Sequence, residues 1–138
     1  MDILVLIGRI LFGLLFLGSA AGHLTQSEGM AQYASAKGIP AARPLVLLTG
    51  VQILLGGVMV ILGVWADLGA LLLVVFLLST AFFMHAFWKA DDPQERQMEQ
   101  IQFLKDLALA GAALMLFAFF ATNPDLGLTI TGPLFETS

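Results

Sequence analysis

Two imidazoles, one ammonium and one carboxylate are the side chains of this sequence best placed to do chemistry: His23, His85, Lys105 and Asp106. Imidazole exchanges a proton near neutral pH, lysine donates hydrogen bonds as a compact cation, and a carboxylate accepts or carries a proton as its surroundings dictate. All four fall at the same ends of long apolar runs, so a bundle of those runs gathers them at one level. Arg9 and Gln52 lie inside apolar runs. A charge near a bilayer centre costs about 2.5–3.5 kcal/mol on insertion scales, so Arg9 needs a partner or a water path.

The composition sets the solvent around these residues. With 59% hydrophobic and 12% charged residues in a chain of 138, and a mean hydropathy of +0.92, there is too little polar surface for a water-soluble domain. The expected environment is lipid, with a single membrane domain over residues 1–138 and no room for a separate soluble catalytic module. A net charge of -4 with scattered Lys and Arg offers no basic face for nucleic acid. The absence of cysteine excludes thiol relays, thiolate-held clusters and a thiolate zinc site within the chain.

Four apolar stretches, at about 3–24, 44–65, 68–88 and 101–121, are each long enough to cross a hydrocarbon core of about 30 Å. They show no alternation of polar and apolar positions, so strands are not expected. The fold class predicted is all-α: an integral membrane four-helix up-down bundle with a short interfacial helix in the first loop. Pro44 suits the first turn of the second span, Gly63 and Asp67 mark a tight connection, and Asn123-Pro124 ends the fourth span. Ser19-Ala20-Ala21 resembles a signal-peptidase site, but Met1-Asp2 lacks the basic start of a signal peptide, so the first span is expected to be retained.

Between the first two spans, a helix is expected from near Ser27 to Gly38, resting on the membrane surface with Met30, Tyr33 and Ala34 on one side. The stretch from Lys89 to Gln100, with its charges around Pro93, reads as a solvated turn. The apolar tail after Pro124 is expected to pack back on the bundle or rest at the interface. Lys37, Arg43, Lys89, Arg96 and Lys105 belong to the side of the first and third loops, against Arg9 on the other, which favours a cytoplasmic position for those loops. Gly18 with Gly22, Gln52 with Gly56 and Gly63, and Ala108 with Ala112 recur at helical spacing as expected packing faces, and leave a homo-oligomer open.

Arg9 shares a face with Gly13, Ala20 and His23, which should point into the bundle, where Arg9 would snorkel to the near interface or pair with Asp67. Lys105 and Asp106 precede an uncharged stretch of only about 22 Å, which places them near or inside the bilayer edge. As neighbours on one helix they point about 100° apart and need partners on other helices; an Asp106 to His85 hydrogen bond is the expected one. Two facing histidines are the minimum for axial haem ligation. The end-of-helix position of His23 and the lack of any supporting pattern around it argue against haem, and two histidines alone make too thin a metal site to expect one.

The residues Gly8-Arg9-Ile10, Gly38-Ile39-Pro40, Gly56-Gly57, His85-Ala86-Phe87-Trp88 and Phe103-Leu104-Lys105-Asp106-Leu107-Ala108-Leu109, in that order over nearly the whole chain, resemble the DoxX-like membrane proteins. His23 stands where many members carry Lys, and Asp106 where Asn is common. The resemblance implies a small four-helix protein of the bacterial inner membrane, in a group whose namesakes include a thiosulfate:quinone oxidoreductase subunit. The expected role is a redox accessory that binds a quinone or similar lipophilic molecule at His23, His85, Lys105 and Asp106, with Trp88 and Phe103 as ring contacts, alongside a membrane or soluble redox partner. The alternative is a non-enzymatic scaffold or assembly partner; no catalytic residue is assigned.

Overall fold

A computed structural model describes residues 1–136, which among themselves form helices and connecting loops with no strand. The helices are α1 (Asp2–Thr25), α2 (Ser27–Ala36), α3 (Ala42–Leu62), α4 (Ala66–Met84) and α5 (Pro93–Thr122), with a single 3-10 turn at Phe87–Lys89. Four of them, all but α2, are long and apolar enough to cross a membrane. Their outward positions, such as Leu4, Leu11, Leu55, Val75 and Met115, are large, apolar and exposed, as a lipid-facing surface requires.

The ends of the elements follow local chemistry. Gly63 closes α3 in the left-handed region at φ 70°, where the lack of a Cβ removes the steric penalty. The third span runs from Ala66 to Lys89, but its α-helical part stops at Met84, because His85 leaves helical geometry and its N–H reaches back to the Thr80 carbonyl at 3.3 Å. The stretch expected as a solvated turn up to Gln100 is helical from Pro93. Asp92 is extended and accepts the Glu95 N–H at 3.2 Å, and Pro93 takes the first helical position, where its missing N–H is no loss. The charges around Pro93 are a helix start.

Packing follows chain order: α1 on α3, α3 on α4, α4 on α5, with α2 laid on α3 and α1, while the outer helices α1 and α5 do not pack closely on each other. Two glycine crossings permit the closest approaches. A Cβ on Gly13 would stand 3.2 Å from the Gly57 carbonyl, and a Cβ on Gly56 would stand 3.0 Å from that of Gly69. The core joins Phe16, Ile53, Leu73, Leu77, Ala113 and Phe120 from the four long helices. The expected faces through Gly18 and Gly22, and through Ala108, are not the packing ones: nothing approaches Gly18 or Gly22, and Ala108 is exposed while Ala110 and Ala113 are buried. Helical spacing alone leaves several small-residue stripes equivalent, and only the tertiary arrangement selects one.

At the end of the bundle away from the histidines, the backbone is stitched shut. The buried Arg9 donates from Nε to the Val60 carbonyl at 2.9 Å, from Nη2 to Ile61 at 2.7 Å and from Nη1 to Leu128 at 2.9 Å. Val60 and Ile61 lie in the last turn of α3, whose carbonyls lack helical partners and carry the negative end of the helix dipole. Asp67, fully buried in the first turn of α4, accepts the backbone N–H groups of Leu134 at 2.9 Å and Phe135 at 2.6 Å. Arg9 therefore neither snorkels nor pairs with Asp67, because the tail folds back between them and supplies each with backbone partners. Replacing Arg9 by Met, which keeps the stem but removes the fork, leaves buried carbonyls unsatisfied at about 1–3 kcal/mol. The expected outcome is a lower unfolding temperature in detergent micelles; an unchanged one contradicts the role assigned to Arg9.

Candidate functional site

Toward the opposite end the helices leave a crevice of about 840 Å³, bounded by all five helices and roofed in part by α2. The buried stripe of α1, which is Arg9, Gly13, Phe16, Ala20 and His23, brings His23 to its wall. From α3 come Thr49 and Gln52, from α4 Phe76 and Thr80, from its end His85, and from α5 Lys105 and Asp106. The structure thus brings together the four polar residues singled out from the sequence, and adds Gln52. Arg9 belongs to the stitched end. Trp88 does not line the crevice: the chain turns after Met84 and carries it into an aromatic cluster with Phe82, Phe87 and Phe103, at centroid distances of 5.3–6.4 Å. Phe76 and Phe83 are the phenylalanine rings that line the crevice, Phe76 edge-on to His23 at 5.8 Å.

The polar wall is organised by Glu99, a residue that reading the preceding loop as solvated hides. Its carboxylate is nearly buried and accepts from the Tyr33 hydroxyl at 2.5 Å and Lys37 Nζ at 3.3 Å on Oε1, and from His85 Nδ1 at 2.7 Å on Oε2. The signal was available: once α5 is carried back to Pro93, Glu99, Asp106, Ala110, Ala113 and Phe120 fall on one buried stripe. Tyr33 and Lys37 lie on and just after α2, so Glu99 ties the roof of the crevice to its wall. Burial first, and then the bond to Glu99, push the Tyr33 phenol above its ordinary range, so it stays the donor.

An ionised carboxylate only accepts, so Nδ1 of His85 carries a hydrogen and Nε2 is left to face Asp106. The Nε2 to Asp106 Oδ2 distance is 3.7 Å, an ionic approach rather than the expected hydrogen bond. The bond goes instead to Glu99, which sits closer to His85 on the same helix face. Asp106 Oδ2 is buried and has no hydrogen-bond partner within the described residues. The imidazole nitrogen left free by Glu99 and the unpartnered carboxylate oxygen therefore face one another in the crevice wall.

The other polar lining groups are held by backbone carbonyls. His23 Nδ1 donates to the Ser19 carbonyl at 2.8 Å, Gln52 Nε2 to that of Leu72 at 2.9 Å, and the Thr49 hydroxyl to that of Leu45 at 2.8 Å. These bonds set which atoms of each side chain remain for anything that enters.

Set against known proteins, residues 4–86 match the model of the family described as DoxX. That segment contains His23 and His85 and ends before Glu99, Lys105 and Asp106. The inner membrane protein YqjF of Escherichia coli (strain K12) is 32% identical over 116 residues, covering 83% of this chain and 82% of that protein. No solved structure matches.

Tyr33 is the sole tyrosine of the chain, so phenolate absorbance reports it directly. The folded pKa is raised, so the tie to Glu99 is fully present below the ordinary value of 10.0 and is lost as pH rises through the higher folded value. The absorbance midpoint is expected above 10.0 in the folded protein and lower in Glu99→Gln. A midpoint at the ordinary value in the native protein contradicts the tie.

Proposed function

The chain belongs to the DoxX family and is a multi-pass protein of the inner membrane, and from that premise we propose that it is a redox accessory holding a quinone or similar lipophilic ring in the crevice beside His85. The observation that carries this reading is the buried, partnerless Asp106 oxygen at the wall of a crevice whose volume suits a ring and the start of its tail. A molecule dissolved in lipid has a way in, because α1 and α5 do not close on each other.

In this reading the apolar lining, Phe76 among it, takes the ring, and the α5 side takes one ring oxygen. Lys105 Nζ is the donor for that oxygen, His85 Nε2 donates to it in the doubly protonated ring and accepts from a ring hydroxyl in the neutral one, and Asp106 supplies or receives the proton that accompanies any change in the oxygen's charge. Glu99 is a positioning residue: by holding Nδ1 it decides which nitrogen of His85 faces the ligand. Through Tyr33 it also holds α2 over the crevice, which limits water where a polar contact has most effect. Electrons would pass to or from a membrane or soluble partner protein.

The test is binding of a short-chain benzoquinone to the purified protein in lipid nanodiscs. His85→Ala and Lys105→Ala are each expected to weaken binding about tenfold, the effect of one lost hydrogen bond with its accompanying desolvation. Unchanged affinity in both variants removes the proposed site. Failure of the native protein to bind, together with recovery of a second protein in stoichiometric amount, favours the scaffold role.

A further inference from the structure

Three carboxylates stand in a row down α5, at Glu95, Glu99 and Asp106, and steps of four and seven residues keep them on one helical face. Side-chain exposure falls from 56% at Glu95 to 10% at Glu99 and 9% at Asp106, so the row runs from water to the buried wall of the crevice. Glu99 and Asp106 are two turns apart, a rise of about 10 Å, which is too far for one to hand a proton to the other. His85 fills that interval. Because α4 breaks at Met84, the imidazole stands between the two carboxylates, with Nδ1 2.7 Å from Glu99 Oε2 and Nε2 3.7 Å from Asp106 Oδ2. On the water side, Glu99 Oε1 accepts from the hydroxyl of Tyr33, a residue 45% exposed, and from Lys37 Nζ, which also approaches Glu95 at 3.9 Å.

Deepening the carrier reading, on which its purpose rests, we propose that His85 and Glu99 form a proton path between Asp106 in the crevice and the aqueous face that carries α2. Asp106 is the crevice end: it is 6% exposed, lines the crevice, and its Oδ2 has no hydrogen-bond partner among the described residues. The resting hydrogens set the order of transfer. Neutral His85 holds its hydrogen on Nδ1, toward Glu99, and presents a lone pair on Nε2 toward Asp106. A proton that Asp106 takes from a ligand passes to Nε2, the Nδ1 hydrogen leaves to Glu99, and Glu99 releases it to water beside Tyr33 and Lys37. One proton enters the path, one leaves it, and no electron moves; the ring then turns over to restore the starting tautomer. A movement of about 1 Å brings Nε2 and Oδ2 into hydrogen-bonding range. The other titratable groups around the crevice are Lys105 on α5 and His23 on α1, and α3 lines it with Thr49 and Gln52, which do not titrate. Neither Lys105 nor His23 forms an ion pair with Asp106 among the described residues, so His85 is the link.

The experiment is a rapid rise in pH followed by time-resolved infrared spectroscopy, on the full-length protein in nanodiscs. It reads the carbonyl stretch of the protonated Asp106 carboxyl, identified by its loss in Asp106→Asn. In the native protein the band is expected to decay as the external pH rises, and in His85→Phe to decay about a hundredfold more slowly, the low end of what a positioned proton-transfer group contributes. Glu99→Gln, which keeps the shape of the side chain but not its proton chemistry, is expected to slow the decay as well. Imidazole added to His85→Phe is expected to restore the rate, which a merely structural role for the ring does not allow. A band indifferent to the jump, an unchanged rate in either variant, or slowing in His85→Phe that imidazole does not reverse overturns the path. No quinone is present, so failure of the path leaves the carrier site standing, and failure of benzoquinone to bind overturns the carrier site while the measured rates still decide the path.

Discussion

A nearly buried carboxylate must be surrounded by donors, and the end of this molecule that holds its polar groups is arranged around meeting that demand for Glu99. Its three donors come from three different places in the chain: Tyr33 on α2, Lys37 just beyond it, and His85 at the end of α4. Each is brought there by a separate feature of the backbone. α2 ends before Gly38, which adopts φ 86°. α4 breaks at Met84 so that His85 turns inward, and α5 begins early at Pro93 so that Glu99 is carried on a rigid helix. Removing the carboxylate would free the roof, the imidazole and the register of the first turns of α5 together.

The two ends of the bundle solve the same problem of polar groups in lipid in opposite ways. At the tail end the buried polar groups are paired: Arg9 covers the last carbonyls of α3, Asp67 covers N–H groups of the tail, and glycine crossings bring the helices close. At the crevice end the groups are held but not exhausted. His23, Gln52 and Thr49 each give a hydrogen to a backbone carbonyl and keep an acceptor, while Asp106 keeps an oxygen with no hydrogen-bond partner among the described residues. Closure at one end and unspent hydrogen-bonding capacity at the other is the physical difference between them, and the proposed site rests on it.

The spans, the first-loop helix and the gathering of His23, His85, Lys105 and Asp106 were legible in the sequence because they rest on hydropathy and on position along a helix, which are local properties. The inward face of α1 was legible for the same reason, from Arg9 to His23. What stayed hidden depended on contacts between distant segments. Glu99 lay in a charged stretch that reads as solvated until Asp92-Pro93 is recognised as a helix start. Trp88 was misplaced because nothing near it announces that α4 ends at Met84. Arg9 and Asp67 were the right depth for one another, but the tail's backbone reaches both first. Among small residues, Gly18 and Gly13 are alike in sequence, and only the helix crossing distinguishes the exposed from the buried one.

The most direct measurement is an experimental density map, at side-chain resolution, of the protein purified with its native lipids. The account predicts planar ring density between Phe76 and the Asp106 carboxylate, with His23 and His85 on either side and a tail leaving between α1 and α5. A crevice filled by inward-collapsed side chains, with Asp106 bonded to a neighbouring residue and α2 lifted from Glu99, would contradict it.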